Sequence, residues 1–86
     1  MGMDVMAASG KLHKMFCANV LFARKRAGLT QEEAAQRMGI SRPRYTEIET
    51  GRYVPTLAII ERLALALKAT PQELIDPDFS KELVAA

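Results

Sequence analysis

The chain predicts an all-α domain of five short helices, on three observations. Apolar residues recur at three- and four-residue steps through most of its 86 residues. Helix starts (threonine or serine ahead of a polar turn) and helix stops (glycine) separate these stretches. No segment alternates apolar and polar residues with the period of two that a half-buried strand requires. The length suits one domain and not two. A domain this small buries only about 60–65% of the surface its unfolded chain exposes, so its core must be efficient. With 49% apolar residues the chain has the material for one.

Residues 1–10 show no periodicity and are expected to form a loose arm. From Lys11, the residues Leu12, Phe16, Val20, Ala23 and Ala27 fall on one helical face, and Gly28 ends that helix. Thr30-Gln31-Glu32-Glu33 reads as a capping box opening a second helix to about Met38, with Ala34, Ala35 and Met38 inside. Gly39 supplies a turn that tolerates positive φ. Ser41 caps a third helix from Arg42, where Pro43 falls in the first turn and removes no intrahelical bond. Gly51 closes it. After the linker Tyr53-Val54-Pro55, Thr56 caps a fourth helix to about Lys68, with Leu57, Ile60, Leu63, Ala64 and Leu67 in register. Thr70-Pro71-Gln72-Glu73 is a second capping box, with proline in the first turn, opening a short fifth helix that carries Leu74 and Ile75 inward. The domain thus spans 11–76, and 77–86 is a tail with room for one more turn at 81–84.

Composition excludes several classes. Cys17 is the only cysteine, so neither a disulfide framework nor a cysteine-histidine zinc site is expected. Stability must come from packing, which suits a reducing cytoplasm. No apolar run approaches the ~20 residues of a membrane span, and no signal peptide or myristoylation pattern is expected. No nucleophile triad, phosphate loop or carboxylate pair occurs at workable spacing, so neither an enzyme nor a cofactor or small-molecule substrate is expected. Net charge is +2, but unevenly spread: 11–52 holds nine basic residues against four acidic, while 53–86 is net acidic. Such asymmetry is either ordinary solvated charge or a surface turned toward a polyanion.

Two short helices joined by a glycine turn, within about twenty residues, form the unit that presents a helix to the DNA major groove. A glycine between helices is weak by itself. The surrounding residues are more specific: Leu29-Thr30-Gln31-Glu32-Glu33-Ala34-Ala35, Met38-Gly39-Ile40-Ser41-Arg42, Ile48-Glu49-Thr50-Gly51-Arg52 and Pro55-Thr56-Leu57. Together they resemble the Cro/C1-type helix-turn-helix family of phage repressors and their bacterial relatives, from about Phe16 to Ile75. The resemblance implies a lambda-repressor-like domain with the helix-turn-helix at its second and third helices. It implies a regulator that binds double-stranded DNA, repressor-like and homodimeric, reading a palindromic operator.

With Tyr45 and Ile48 inward, the opposite side of the third helix carries Pro43, Thr46, Glu47 and Thr50, edged by Arg42 and Arg44. The resemblance places Ser41, Arg42, Pro43 and Glu47 at base-reading positions. Arg42 suits guanine, Pro43 offers only apolar contact such as a thymine methyl, and Glu47 suits a cytosine amino group. It places Gln31 on a phosphate at a helix N-terminus, Thr30 as a cap and phosphate neighbour, and Arg52 and Tyr53 as a second phosphate clamp. Arg44 suits either phosphate or base. Arg24 and Glu49 are implied to pair across the first and third helices and to hold the reading helix in place.

Phe22, Ile59 and Leu65 are apolar residues expected away from the core. Either the terminal segments fold over them or they form a homodimer surface. The rival to a DNA reader is an antitoxin-like or adaptor module whose apolar patch grips a protein partner. His13 is expected at the surface, and Cys17 as a small buried or half-buried apolar residue.

Overall fold

The computed structural model describes the backbone of residues 2–81 and the side chains of residues 10–81. Five helices follow one another: α1 (Gly2–Arg26), α2 (Gln31–Met38), α3 (Arg42–Thr50), α4 (Leu57–Ala66) and α5 (Pro71–Leu74), with no strand among the described residues. α3 packs on α2 and α1, α4 on α2 and α5, and α5 on α1.

The expected capping devices are all present. Thr30 Oγ1 accepts from the Glu33 amide at 3.1 Å while the Thr30 amide donates to Glu33 Oε1 at 2.9 Å. Thr70 and Glu73 repeat the box at 3.1 and 2.9 Å. Ser41 and Thr56 accept from the Arg44 and Ile59 amides. Each cap satisfies amides that the first helical turn leaves without acceptors.

One core joins the elements. Phe16, Val20 and Ala23 of α1 meet Ala34, Ala35 and Met38 of α2, Tyr45 and Ile48 of α3, and Leu63, Ala64, Leu67 and Leu74 beyond. Asn19 sits among them, fully buried, and its Nδ2 donates to the carbonyls of Leu74 at 3.0 Å and Asp76 at 2.9 Å. These carbonyls belong to the end of α5 and the turn after it, so α1 caps α5 from the side.

Several expectations need correction. α1 begins at Gly2, ahead of the Lys11 start, and continuous helix takes the place of the expected arm. The segment holds methionines and alanines, good helix formers, and no proline, and one internal glycine costs only about 1 kcal/mol. α4 ends at Ala66, two residues early, because Lys68 takes the left-handed conformation at φ 55°. Leu12, Leu57 and Ile75 were expected inside but are 54%, 82% and 49% exposed. Periodicity defines a face but not how far neighbours cover it, and these three border open grooves on the surface. Phe22 was expected outside and is buried, because the turns after α5 fold Phe79 onto it. Beyond Lys81, the turn expected at 81–84 lies outside the described residues.

Candidate nucleic-acid interface

α2 and α3 are set at their angle by a left-handed glycine. Gly39 has φ 70°, and its amide donates back to the end of α2. At the far end of α3, Gly51 has φ 85°, and a Cβ there would lie 3.4 Å from Cys17 Sγ. The left-handed backbone conformation selects glycine at that position.

Beneath α3, Tyr45 and Ile48 are buried, and Glu49 joins them at 8% exposure. Arg24 of α1 grips Glu49 in a fork: Nε donates to Oε2 at 2.9 Å and Nη2 to Oε1 at 3.0 Å. A third arm, Arg24 Nη1, donates to the Leu29 carbonyl at 2.9 Å, fixing the turn between α1 and α2. Burial pushes the Glu49 carboxyl up, but hydrogen bonds from Arg24 and Gln31 outweigh it and leave it below its ordinary value. The pair implied by resemblance is therefore present, and it ties α3 to α1.

Gln31 behaves differently from a free phosphate ligand. Its Nε2 donates to Glu49 Oε1 at 3.3 Å, and its Oε1 accepts from the Thr46 hydroxyl at 3.4 Å. It cross-links the start of α2 to the middle of α3. The Tyr45 hydroxyl, buried beside Glu49 and Arg24, meets no hydrogen-bond partner of good geometry. Burial first, and the Glu49 charge second, push its pKa far up. Burial likewise leads the rise of the Cys17 thiol, which stays protonated and donates weakly to the Ile48 carbonyl at 3.6 Å.

Above this base lies an exposed surface. Arg42, Pro43, Thr46, Glu47, Thr50 and Arg52 line one shallow groove, and Arg42 also borders a second with Thr30, Gln31 and Glu32. Seven of the ten sequence-proposed interface residues (Thr30, Gln31, Arg42, Pro43, Thr46, Glu47 and Arg52) thus line these two grooves, and Ser41 flanks them at the start of α3. Arg44 stands apart from the grooves, its guanidinium 4.9 Å from the centre of the Tyr53 ring, a cation–π contact that orients both. Glu32, not expected at the site, borders the second groove. Its place next to Gln31 in the first helical turn was the available signal.

This geometry is that of a helix-turn-helix, and a model of the helix-turn-helix domain matches residues 23–76. The chain belongs to the helix-turn-helix domain family. Within the family it is 36% identical over 66 residues to an uncharacterized HTH-type transcriptional regulator of Sinorhizobium fredii, covering 77% of this chain and 86% of that one. A second HTH-type transcriptional regulator, from Methanothermobacter thermautotrophicus, is 50% identical over 44 residues. That match covers 51% of this chain and 64% of the relative's length. Among solved structures, a hypothetical transcription factor, NHTF, from Neisseria superposes with a TM-score of 0.74 at 28% identity, covering 87% of this chain and 85% of the other. The helix-turn-helix is α2, the Gly39 turn and α3, as the resemblance implied.

Of the three residues expected at a dimer surface, only Leu65 is fully available, at 82% exposure. Ile59 is half-buried against the core. Phe22 lies beneath Phe79 and is withdrawn from any such surface. Further exposed apolar residues lie elsewhere. Val54, 75% exposed, lines a groove of about 160 Å³ with Leu12, His13, Phe16, Pro55, Ile60 and Ile75, and Leu57, 82% exposed, borders an adjoining groove that shares Ile60 and Ile75. Among the described residues there is no group of metal-ligating side chains, and no helix is long and apolar enough to cross a membrane.

Proposed function

We propose that the chain is a sequence-specific reader of double-stranded DNA that regulates transcription from a cytoplasmic, repressor-like position, with α3 in the major groove. The observation that carries this reading is the two-layered α3. Its inner side is clamped by Arg24 through Glu49, and its outer side presents Arg42, Pro43 and Glu47 to solvent. A reading helix must be rigid to hold base contacts in register, and its N-terminal residues must be free to reach base edges. Ser41 lies at the start of the same face. In this reading phosphates on either side of the groove are met by the start of α2 (Thr30, Gln31), by Arg44 in the first turn of α3, and by Arg52 and Tyr53 beyond its C-terminus.

The functional unit in this reading is a homodimer spanning two half-sites about 34 Å apart. Val54 and Leu57 are projections beside a groove, and a knob and a hole on one face are what a two-fold, self-complementary contact uses. A second reading, a module that grips a protein partner, is favoured by Leu65, which stands exposed beside Arg37, Arg62 and Met38.

Selection from a pool of random duplexes, followed by sequencing and repeated at several salt concentrations, tests the first reading. Enrichment of a near-palindrome with half-sites one helical turn apart supports it. The slope of log affinity against log salt then counts the phosphate contacts, at about 0.9 per contact. Weak binding with no enriched sequence sinks it and leaves the partner reading.

A further inference from the structure

We infer that the end of α2 and the second half of α4 form a docking surface for an acidic segment of a protein partner, in which an apolar side chain covers Leu65 and flanking carboxylates pair with Arg37 and Arg62. This inference rests on the second reading above, the partner-gripping module, and names the chemistry of the partner. The groove shares no residue with the two lined by α3 and the start of α2, so DNA and the partner call on separate side chains.

Two kinds of group meet in this groove. Leu65 stands 82% exposed, with the buried Met38 and Ala66 lining the groove beside it. A lone exposed leucine needs no explanation, but this one lies between two cations. Arg62 Nη2 donates to the carbonyl of Met38, the last residue of α2, at 2.7 Å. That bond holds the guanidinium at the groove and leaves most of its five N–H donors without a partner. Arg37 is exposed, and among the described residues its side chain has no ion-pair partner. No carboxylate lines the groove. Glu33, one turn back on α2, is engaged by the Thr30 amide, and Glu61, one turn before Leu65, borders a different groove.

The leucine and the charges together select the occupant. A DNA backbone would pair with both guanidiniums but brings no apolar side chain to cover Leu65. A wholly apolar segment would cover Leu65 and leave two guanidiniums desolvated without partners, which is costly. A segment with leucine, isoleucine or phenylalanine between aspartates or glutamates meets both requirements. Arginine suits the pairing, because its planar fork takes a carboxylate at two points and its weak hydration eases burial. A second copy of this chain fits poorly. A two-fold contact sets the same patch against itself, bringing the Arg37 and Arg62 charges of one copy onto those of the other.

The test is selection from a displayed library of random peptides on wild type, with Leu65→Asp as counter-target and both proteins first checked for equal thermal midpoints. Peptides retained by wild type alone should carry aspartate or glutamate on both sides of one large apolar residue. A synthetic copy of the enriched peptide should bind Arg37→Glu about tenfold more weakly. Replacing its acids with lysine should restore binding to Arg37→Glu and abolish it on wild type. Enrichment of basic or wholly apolar peptides overturns the acidic chemistry and leaves the partner-gripping module standing. If no peptide is retained above the counter-target, both fall. A duplex-binding salt slope that becomes shallower by about one in Arg37→Ala assigns that guanidinium to phosphate and overturns the inference. A wild-type dimer dispersed by Leu65→Asp makes a second copy the occupant and overturns it too.

Discussion

The Phe79 ring meets the Phe22 ring edge-on, with centroids 4.8 Å apart and planes inclined at 76°. The Arg26 guanidinium lies 4.8 Å from the Phe79 centroid and completes the stack. The tail beyond α5 is therefore part of the core, since Phe79 is only 2% exposed. Phe79→Ala should cost about 3 kcal/mol, lowering the melting temperature by roughly 15 °C in a domain of this size. Chemical denaturation measures it. A loss below about 1 kcal/mol would mean that the tail contributes little to the folded state.

Asn19 carries a cost that its polarity hides. Its amide is the shared donor for carbonyls at and after the end of α5. Asn19→Ala should leave the buried Leu74 carbonyl without its donor and weaken the bonding at Glu73 and Asp76, destabilising the fold by about 1–3 kcal/mol. Amide hydrogen exchange should show the loss first around residues 71–76. Uniform loss across all helices would contradict a local capping role.

The Arg24–Glu49 fork predicts both a mutational and a pH response. Its side chains are 12% and 6% exposed. Glu49→Ala should cost about 3 kcal/mol by leaving the guanidinium partly buried and alone, and replacing both residues with methionine should cost less than the single change. Glu49 titrates below its ordinary value of 4.5 in the folded protein. Its stabilising contribution is therefore complete above pH 4.5 and is lost as pH falls through the folded value. Denaturation between pH 7 and pH 3 should show wild type losing stability below pH 4.5 more steeply than the double methionine variant.

Leu57 tests the two-fold contact. Leu57→Asp should convert a dimer into a monomer with its thermal midpoint nearly unchanged, because the side chain is 82% exposed. Leu65→Asp should leave the dimer intact. Sedimentation equilibrium reads both. A wild type that remains monomeric at high micromolar concentration, or a dimer broken by Leu65→Asp alone, would contradict this placement.

The helices, their caps and the core of α2 and α3 were legible because each depends on local chemistry. Threonine, serine and glycine at helix ends act within four residues of themselves, and Tyr45, Ile48 and Glu49 follow from one helical period. What was not legible depends on distant segments. Phe22 reads as surface until Phe79 is folded onto it. Leu12, Leu57 and Ile75 read as core until the fold leaves them at the rims of open grooves. Gln31 and Thr46 read as free contacts, but each is held by the other, and only the packing of α2 on α3 reveals that. Asn19 gave no sequence signal, because its three acceptors lie more than fifty residues away.

The direct test of α3 as a sequence reader is the ratio of two dissociation constants, measured at about 0.15 M salt. One is for the duplex enriched by selection; the other is for a scrambled duplex of the same length and composition. A specific reader should favour the first by at least about a thousandfold, with Arg42→Ala removing most of the difference. Equal affinities, falling together as salt rises, would contradict it and reduce the surface of α3 to a nonspecific basic patch.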